Sequence, residues 1–346
     1  MRVGVGRYRL VLLVLALGLA GSVLLAVGVG AVGIPPGSAA RLVLWKLGLM
    51  DRPDVPRSIE VILFQLRMPR VALAAVVGLA LATSGALFQG LFRNPLADPA
   101  IIGVSSGAAL GAVAVIVLGG GALLGGLGVS VAAFVGAMLT AFFVYRLARV
   151  GPTVHVATLL LAGIAVAAVI SAAMSLVMSF AGEEIRSIYF WLLGGLSARG
   201  WTAIWVVSPL VAIGVLGSLV LIRDLNLVAL GEERAAQLGV DVGRFKWQAV
   251  ALGALLAGAA VSVSGVIGFV GLMTPHVLRL VVGADHRRLL PAVLLAGPMF
   301  LVLADLVSRV ALAPQELPLG AVTALVGGPF FLFLLRRERR NAGAPA

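Results

Sequence analysis

The chain is predicted to be an all-α polytopic membrane protein of ten transmembrane helices, and two observations carry that reading. Of its 346 residues, 61% are hydrophobic and only 12% are charged, against about 45–50% and roughly 25% in soluble domains. Mean hydropathy is +1.13, and the apolar residues fall into runs that fit helices of about 20 residues, the length that crosses a bilayer. Ten such helices use up most of the apolar content, so residues 1–346 are expected to form a single transmembrane domain.

Residues 10–33 form the first span. They follow Arg2, Arg7 and Arg9 and exceed the about 7–15 residues of a secretory core, so the segment is expected to be retained, entering from the cytoplasm. Ile34-Pro35-Pro36 ends it. Residues 34–70 hold Arg41, Lys46, Asp51, Arg52, Asp54, Arg57, Glu60, Arg67 and Arg70 and are an external loop in this reading. Residues 71–92 make the second span and 93–98 a short cytoplasmic connection. The uncharged stretch 99–145 divides into spans three and four at Gly119-Gly120-Gly121 and Gly125-Gly126.

Arg146 and Arg149 close that pair, and 156–180 is the fifth span. Glu183, Glu184 and Arg186 open a second external stretch, whose Trp191 and Trp201 suit an interfacial belt. Residues 200–222 make the sixth span, and 223–247 form a polar cytoplasmic segment. Residues 247–282 must hold two spans, one of them short because His276 and Arg279 intrude. Residues 289–307 and 317–335 complete the set. The tail 336–346 carries Arg336, Arg337, Arg339 and Arg340. Basic clusters at both ends place both termini in the cytoplasm and require an even number of crossings. The six basic residues of the 34–70 loop dissent from that bias and need their own reason.

Thr83-Ser84-Gly85-Ala86-Leu87 has Pro95 ten residues after its glycine, and Val263-Ser264-Gly265-Val266-Ile267 has Pro275 at the same distance. With span two running inward and span seven outward, the two five-helix halves are inverted relative to one another, as in many transporters; chance similarity in apolar sequence is the competing account. Gly103, Gly107 and Gly111 repeat at intervals of four, a spacing that lets membrane helices pack closely.

Several chemistries are excluded. There is no cysteine, hence no disulfide, thiolate metal site or cysteine nucleophile. His155, His276 and His286 stand apart and form no HExxH pattern, so no metal site is expected. Gly28-Val29-Gly30-Ala31-Val32-Gly33 matches GxGxxG, but it ends a membrane span and meets two prolines instead of joining a strand to a helix. No cofactor is expected. No GxxxxGK[ST] loop exists, so any ATP-driven work needs a partner. The net charge of +12 marks cytoplasmic loops and lipid contact; with no aromatic-interleaved basic patch, nucleic acid is not an expected partner.

Asp305 is the one carboxylate well inside an apolar run, and Arg309 lies four residues on, within reach on the same helix face. A structural pair and a pathway or docking role both remain open. The most informative segment is Gly231-Glu232-Glu233-Arg234-Ala235-Ala236-Gln237-Leu238-Gly239, which reads as a short cytoplasmic helix. Glu232 and Glu233 suit its N-terminal dipole, and Gly239 suits a C-terminal cap. It is either a handle for a soluble motor or a plain loop helix.

With these residues in view, the sequence resembles the FecCD-type permease subunits of ABC importers for cobalamin, haem and ferric siderophores. The resemblance covers nearly the whole chain. It rests on Leu66-Arg67-Met68-Pro69-Arg70, Ser84-Gly85-Ala86-Leu87-Phe88-Gln89-Gly90, Arg93-Asn94-Pro95-Leu96-Ala97-Asp98-Pro99 and Gly103-Val104-Ser105-Ser106-Gly107-Ala108. Further on it rests on Gly231-Glu232 through Leu238-Gly239, Gly268-Phe269-Val270-Gly271-Leu272 with Pro275-His276, Asp285-His286-Arg287-Arg288, Ala304-Asp305 with Arg309, and Glu316-Leu317-Pro318.

The resemblance implies a homodimer in the cell (inner) membrane, with two ABC ATPase subunits below it and an external substrate-binding protein above. Gly231, Glu232, Glu233, Ala235, Leu238 and Gly239 match the segment that seats in the ATPase. Arg67, Arg70 and Arg309 match arginines that pair with carboxylates of the binding protein, which accounts for part of the dissenting external charge. Asn94 and Leu96 match residues of the cytoplasmic gate; residues 153–158 depart from the family pattern, and no gate residue is carried over from them. The implied function is import of an iron-siderophore, haem or cobalamin-type complex by alternating access, with no reaction catalysed by this chain. The alternative is an ion-coupled secondary transporter working without an ATPase, for which Asp305 is the one candidate intramembrane acid.

Overall fold

The computed structural model describes residues 4–30, 33–150, 153–197 and 199–342. Residues 31–32, shared by the expected first span and the GxGxxG match, and the last four residues of the expected tail lie outside the described residues.

The chain is helical almost throughout. Helix α1 (Val5–Gly28) is followed by a short surface helix α2 (Pro36–Lys46), with proline at its first position where the missing N–H costs nothing. Then α3 (Arg57–Val61), a π-helical stretch at Ile62–Arg67 and α4 (Met68–Leu91) form one continuous run. The second apolar helix thus starts well before residue 71, inside the segment read as a loop. Its charges do not break it because Arg67 and Arg70 find partners on neighbouring helices.

Helix α5 (Val104–Val117), the distorted turn α6 (Leu123–Gly126) and α7 (Gly128–Ala148) lie on either side of the glycine-rich break. Gly107 and Gly111 face Gly136 and Ala132 of α7 so closely that a Cβ at either would sit 2.4 or 2.2 Å from a backbone oxygen. Close packing is what these glycines do. A two-residue hairpin, β1 (Arg149–Val150) and β2 (Thr153–Val154), leads into α8 (Val156–Met178).

The stretch expected at an interface contains α9 (Ile185–Leu192), and its Trp191 is buried in the core instead of facing headgroups. Helices α10 (Trp201–Val220), α11 (Ile222–Val228), α12 (Glu232–Gln237), α13 (Val242–Ser264), α14 (Val270–Val282), α15 (His286–Val310) and α16 (Leu319–Ala342) complete the chain. Helix α16 carries on into the segment expected to be a tail.

Among the described residues, seven helices are long and apolar enough to cross a membrane, or eight if the pair α5 and α6, bent by 109°, is one span. Helix α14 and the apolar part of α16 (Leu319–Leu334) are shorter. Helix α4 is the centre of the bundle, packed by α10, α13, α14 and α15. From Ala80 to Leu91 every residue is buried, which explains why this helix is apolar on all sides. Its Gly85 lies directly against the Gly271 carbonyl of α14, leaving no room for any side chain.

Contacts fix the relative directions. The Tyr8 hydroxyl of α1 donates to the Arg288 carbonyl at the start of α15, and Arg309 near the end of α15 donates to Ala26 and Val29 carbonyls at the end of α1. These two helices run parallel. Helix α4 runs against them, from Arg67 beside the end of α1 to Gly90 beside His286. The bundle thus has one end marked by α12 and an opposite end marked by α2.

Near the opposite end, three irregular segments cross. The Gly195 N–H donates to Ser264 O at 2.7 Å, Leu319 to Gly194 O and Gly320 to Leu193 O, both at 3.1 Å. Gly194 and Gly265 adopt φ +69° and +67°, values that need glycine. The backbone polar groups left by the breaks before α14 and α16 are thereby satisfied inside the protein, the condition for non-helical chain at membrane depth.

Candidate functional site

Three sites follow from the sequence, two at the α12 end and one opposite. Helix α12 stands at the first. Gly231 precedes it with φ +116° and Gly239 follows with φ +84°, so a glycine marks the backbone reversal on each side. Ala235 is fully buried in the main core, and Glu232 accepts a hydrogen bond from the Lys246 ammonium of α13 at 2.7 Å. Both therefore hold the helix onto the body of the protein. Glu233, Arg234, Ala236, Gln237 and Leu238 are exposed, forming a mixed face available to another molecule.

Helix α11 is tied in beside it through a polar chain. Asn226 donates to Asp285 at 2.7 Å and accepts from the backbone N–H of His286 at 2.9 Å. The His286 ring sits between Asn226 at 2.9 Å and Arg279 of α14 at 3.2 Å. Arg279 also donates to Gln89 of α4, whose amide donates to Leu272 O at 3.0 Å. The ends of α4, α11, α14 and α15 are thus joined by side chains.

The second site is the turn after α4. Arg93 has φ +50°, and the Asn94 side chain accepts from the Leu96 N–H at 2.9 Å, closing the turn on itself. Leu96 borders a narrow gap too small for a water together with Phe269, Met273, His276 and Phe330, so it faces α14 and α16. Asp98 caps the following turn through Ala100 N–H at 2.8 Å; burial pushes its carboxyl above the ordinary range, against the lowering effect of that bond.

The third site lies at the opposite end. Arg70 of α4 donates to Asp305 of α15 at 2.9 Å and to Glu316 at 2.7 Å. Asp305 also faces Arg309 at 3.0 Å, one helical turn on. Arg67 donates to the Val27 and Gly28 carbonyls at 3.1 and 2.8 Å, and Gly30 of the GxGxxG match makes room for its guanidinium. Arg67 and Arg309 are each 6% exposed, with donors occupied by the carbonyls that end α1. Glu316 is half exposed; burial raises its pKa, but bonds from Arg70 and Ser197 outweigh that and hold it below the usual range. Two adjoining cavities of about 480 and 630 Å³ share Arg70, Ser197, Arg199 and Glu316 in their walls.

Among the described residues no group of three or more His, Cys, Asp or Glu side chains is placed to hold a metal. Sequence reasoning missed Lys246 and the chain from Gln89 to Asn226, because their partners lie 7 to 190 positions away and leave no local periodicity.

The sequence profile of the FecCD transport family matches residues 12–337. The cobalamin import system permease protein BtuC of Halobacterium salinarum is 48% identical over 83% of this chain and 76% of its own length. The hemin transport system permease protein HmuU of Yersinia pestis is 44% identical over 80% of this chain and 83% of its own. A solved inward-facing structure of a metal-chelate type ABC transporter superposes with a TM-score of 0.81 at 32% identity, covering 95% of this chain and 99% of that one.

Proposed function

This chain belongs to the FecCD transport family, and from that premise we propose how it works as the permease subunit of an ATP-driven importer. It is a multi-pass protein of the cytoplasmic membrane, a conduit and not an enzyme. Its cargo is a cobalamin, haem or ferric-siderophore type complex, the first two by likeness to BtuC and HmuU.

The importer holds two copies of this chain over two ATPase subunits. Closure of the ATPases on ATP moves α12, the bundle tilts, and access alternates between the two membrane faces. Asn94 and Leu96 belong to the gate at the α12 end. That end is cytoplasmic, because Arg7, Arg9 and Arg336 lie there and basic residues favour the inner face. We count ten crossings: the seven long helices, the bent pair, and α14 and α16. At 13 residues α14 is about 20 Å long, and the buried irregular segment before it supplies the rest. The opposite courses of α4 and α13, which carry the two Ser-Gly repeats, favour two inverted halves.

Arg67, Arg70 and Arg309 form the external docking cluster for the binding protein. With Arg67 and Arg309 bonded to α1, their contribution is an excess of cations over Asp305 and Glu316, a field that steers an acidic partner. The ion-coupled alternative needed a free intramembrane acid, whereas Asp305 is held between Arg70 and Arg309.

The observation that carries this reading is α12, anchored by Glu232 and Ala235 with its remaining face exposed. Co-purification with the cognate ATPase tests it. A stable complex that loses its ATPase on Leu238→Asp is expected; undiminished affinity would count against the seating of α12.

A further inference from the structure

Lys246 lies in the second turn of α13 and is 6% exposed. Its ammonium donates to Glu232 on α12 at 2.7 Å and to the Val154 carbonyl of β2 at 2.6 Å. A buried ammonium without acceptors is costly, so this side chain holds its position only while both are present. The neighbouring residue completes the arrangement: the Trp247 ring packs on Tyr145 in the last turn of α7, with centroids 4.9 Å apart. The start of α13 therefore holds the β1–β2 pair between α7 and α8 at two points, beside Tyr145 ahead of β1 and at Val154 within β2. Arg149 pairs with Val154 and Val150 with Thr153, so the hairpin is a paired unit, and α8 begins two residues later at Val156.

We propose that Lys246 is a positioning residue that transmits displacement of α12 to the hairpin and through it to α8. Resting on the assignment of α12 to the ATPase, this deepens that reading by naming the route of the stroke. When Glu232 is displaced, the ammonium either follows it and draws the Val154 carbonyl along, or stays behind in a buried position without its counter-charge. A charge-assisted hydrogen bond is about twice as strong as a neutral one, so the ion pair holds and the displacement passes to the hairpin. Ala235, packed in the core, anchors the middle of the same short helix and makes it pivot instead of detach.

The test uses the assembled complex in proteoliposomes, comparing wild type, Lys246→Met and Lys246→Arg for ATPase assembly, ATP hydrolysis and cargo moved per ATP. Lys246→Met assembles and hydrolyses ATP, but cargo per ATP falls at least about fivefold, the low end of ordinary coupling between sites. Lys246→Arg, which keeps a charged donor, recovers most of it. An assembled Lys246→Met complex with unchanged cargo per ATP overturns the proposal. Wild-type chain that fails to assemble with the ATPase sinks the seating of α12 instead, so the two failures are distinct.

Should Lys246→Met fail to fold, spin labels on the otherwise cysteine-free wild type decide. Labels at Gln237→Cys and at His155→Cys are each measured against Arg9→Cys on α1, with and without ATP. Equal displacement of both positions is expected. Movement of position 237 while 155 stays fixed, or of neither, overturns the proposal.

Discussion

Arg70 and Asp305 meet at 2.9 Å, joining the start of α4 to the last turns of α15. Asp305 is fully buried and serves Arg309 as well. One carboxylate therefore neutralises guanidinium groups from two helices at the end of the bundle where α1 also terminates.

Removing that carboxylate leaves the buried Arg309 without its carboxylate partner and Arg70 with Glu316 alone. Asp305→Asn is expected to cost about 3–5 kcal/mol, the usual penalty for breaking a buried pair by deleting one member. Denaturant unfolding in detergent measures it. Asp51→Asn, at an exposed position, should stay within about 0.5 kcal/mol of wild type.

The Arg70 to Glu316 link has a pH dependence of definite sign. The folded-state pKa of Glu316 is held below its ordinary value of 4.5, so the unfolded chain binds the proton first. The contribution is complete above about pH 4.5 and is lost as pH falls through the lower folded value. Thermal unfolding of wild type and Glu316→Gln between pH 7 and pH 3 should show a difference that shrinks on acidification. A difference that grows would contradict the assignment.

The crossing of irregular segments is sensitive at single atoms. A Cβ on Gly265 would lie 2.2 Å from Trp191 O at φ +67°, whereas one on Gly195 meets nothing within 4 Å. Gly265→Ala should lower the yield of folded protein sharply and Gly195→Ala should not. Size-exclusion profiles of the two variants compare them directly.

Much of this was legible in the sequence. The apolar runs, the glycine break after Val117 and the short charged helix at 232–237 are local signals that composition and spacing carry. The Asp305 and Arg309 pair was legible because four residues make one helical turn. The early start of the helix containing α4 was not, since Arg67 and Arg70 read as loop charges until their partners at Val27, Gly28 and Asp305 are known. Lys246 was missed for the same reason, as a lysine near a span boundary gives no sign that it bonds Glu232 and Val154. Trp191 was misplaced because burial of an aromatic depends on distant neighbours, here those of the main core, and local sequence does not show them.

The account's central claim is that this chain conducts and another protein supplies the energy. Cargo uptake into proteoliposomes, with the chain alone under proton and sodium gradients and then with its ATPase, ATP and loaded binding protein, tests that claim most directly. The account predicts no uphill accumulation in the first case and accumulation in the second; accumulation by the chain alone would contradict it.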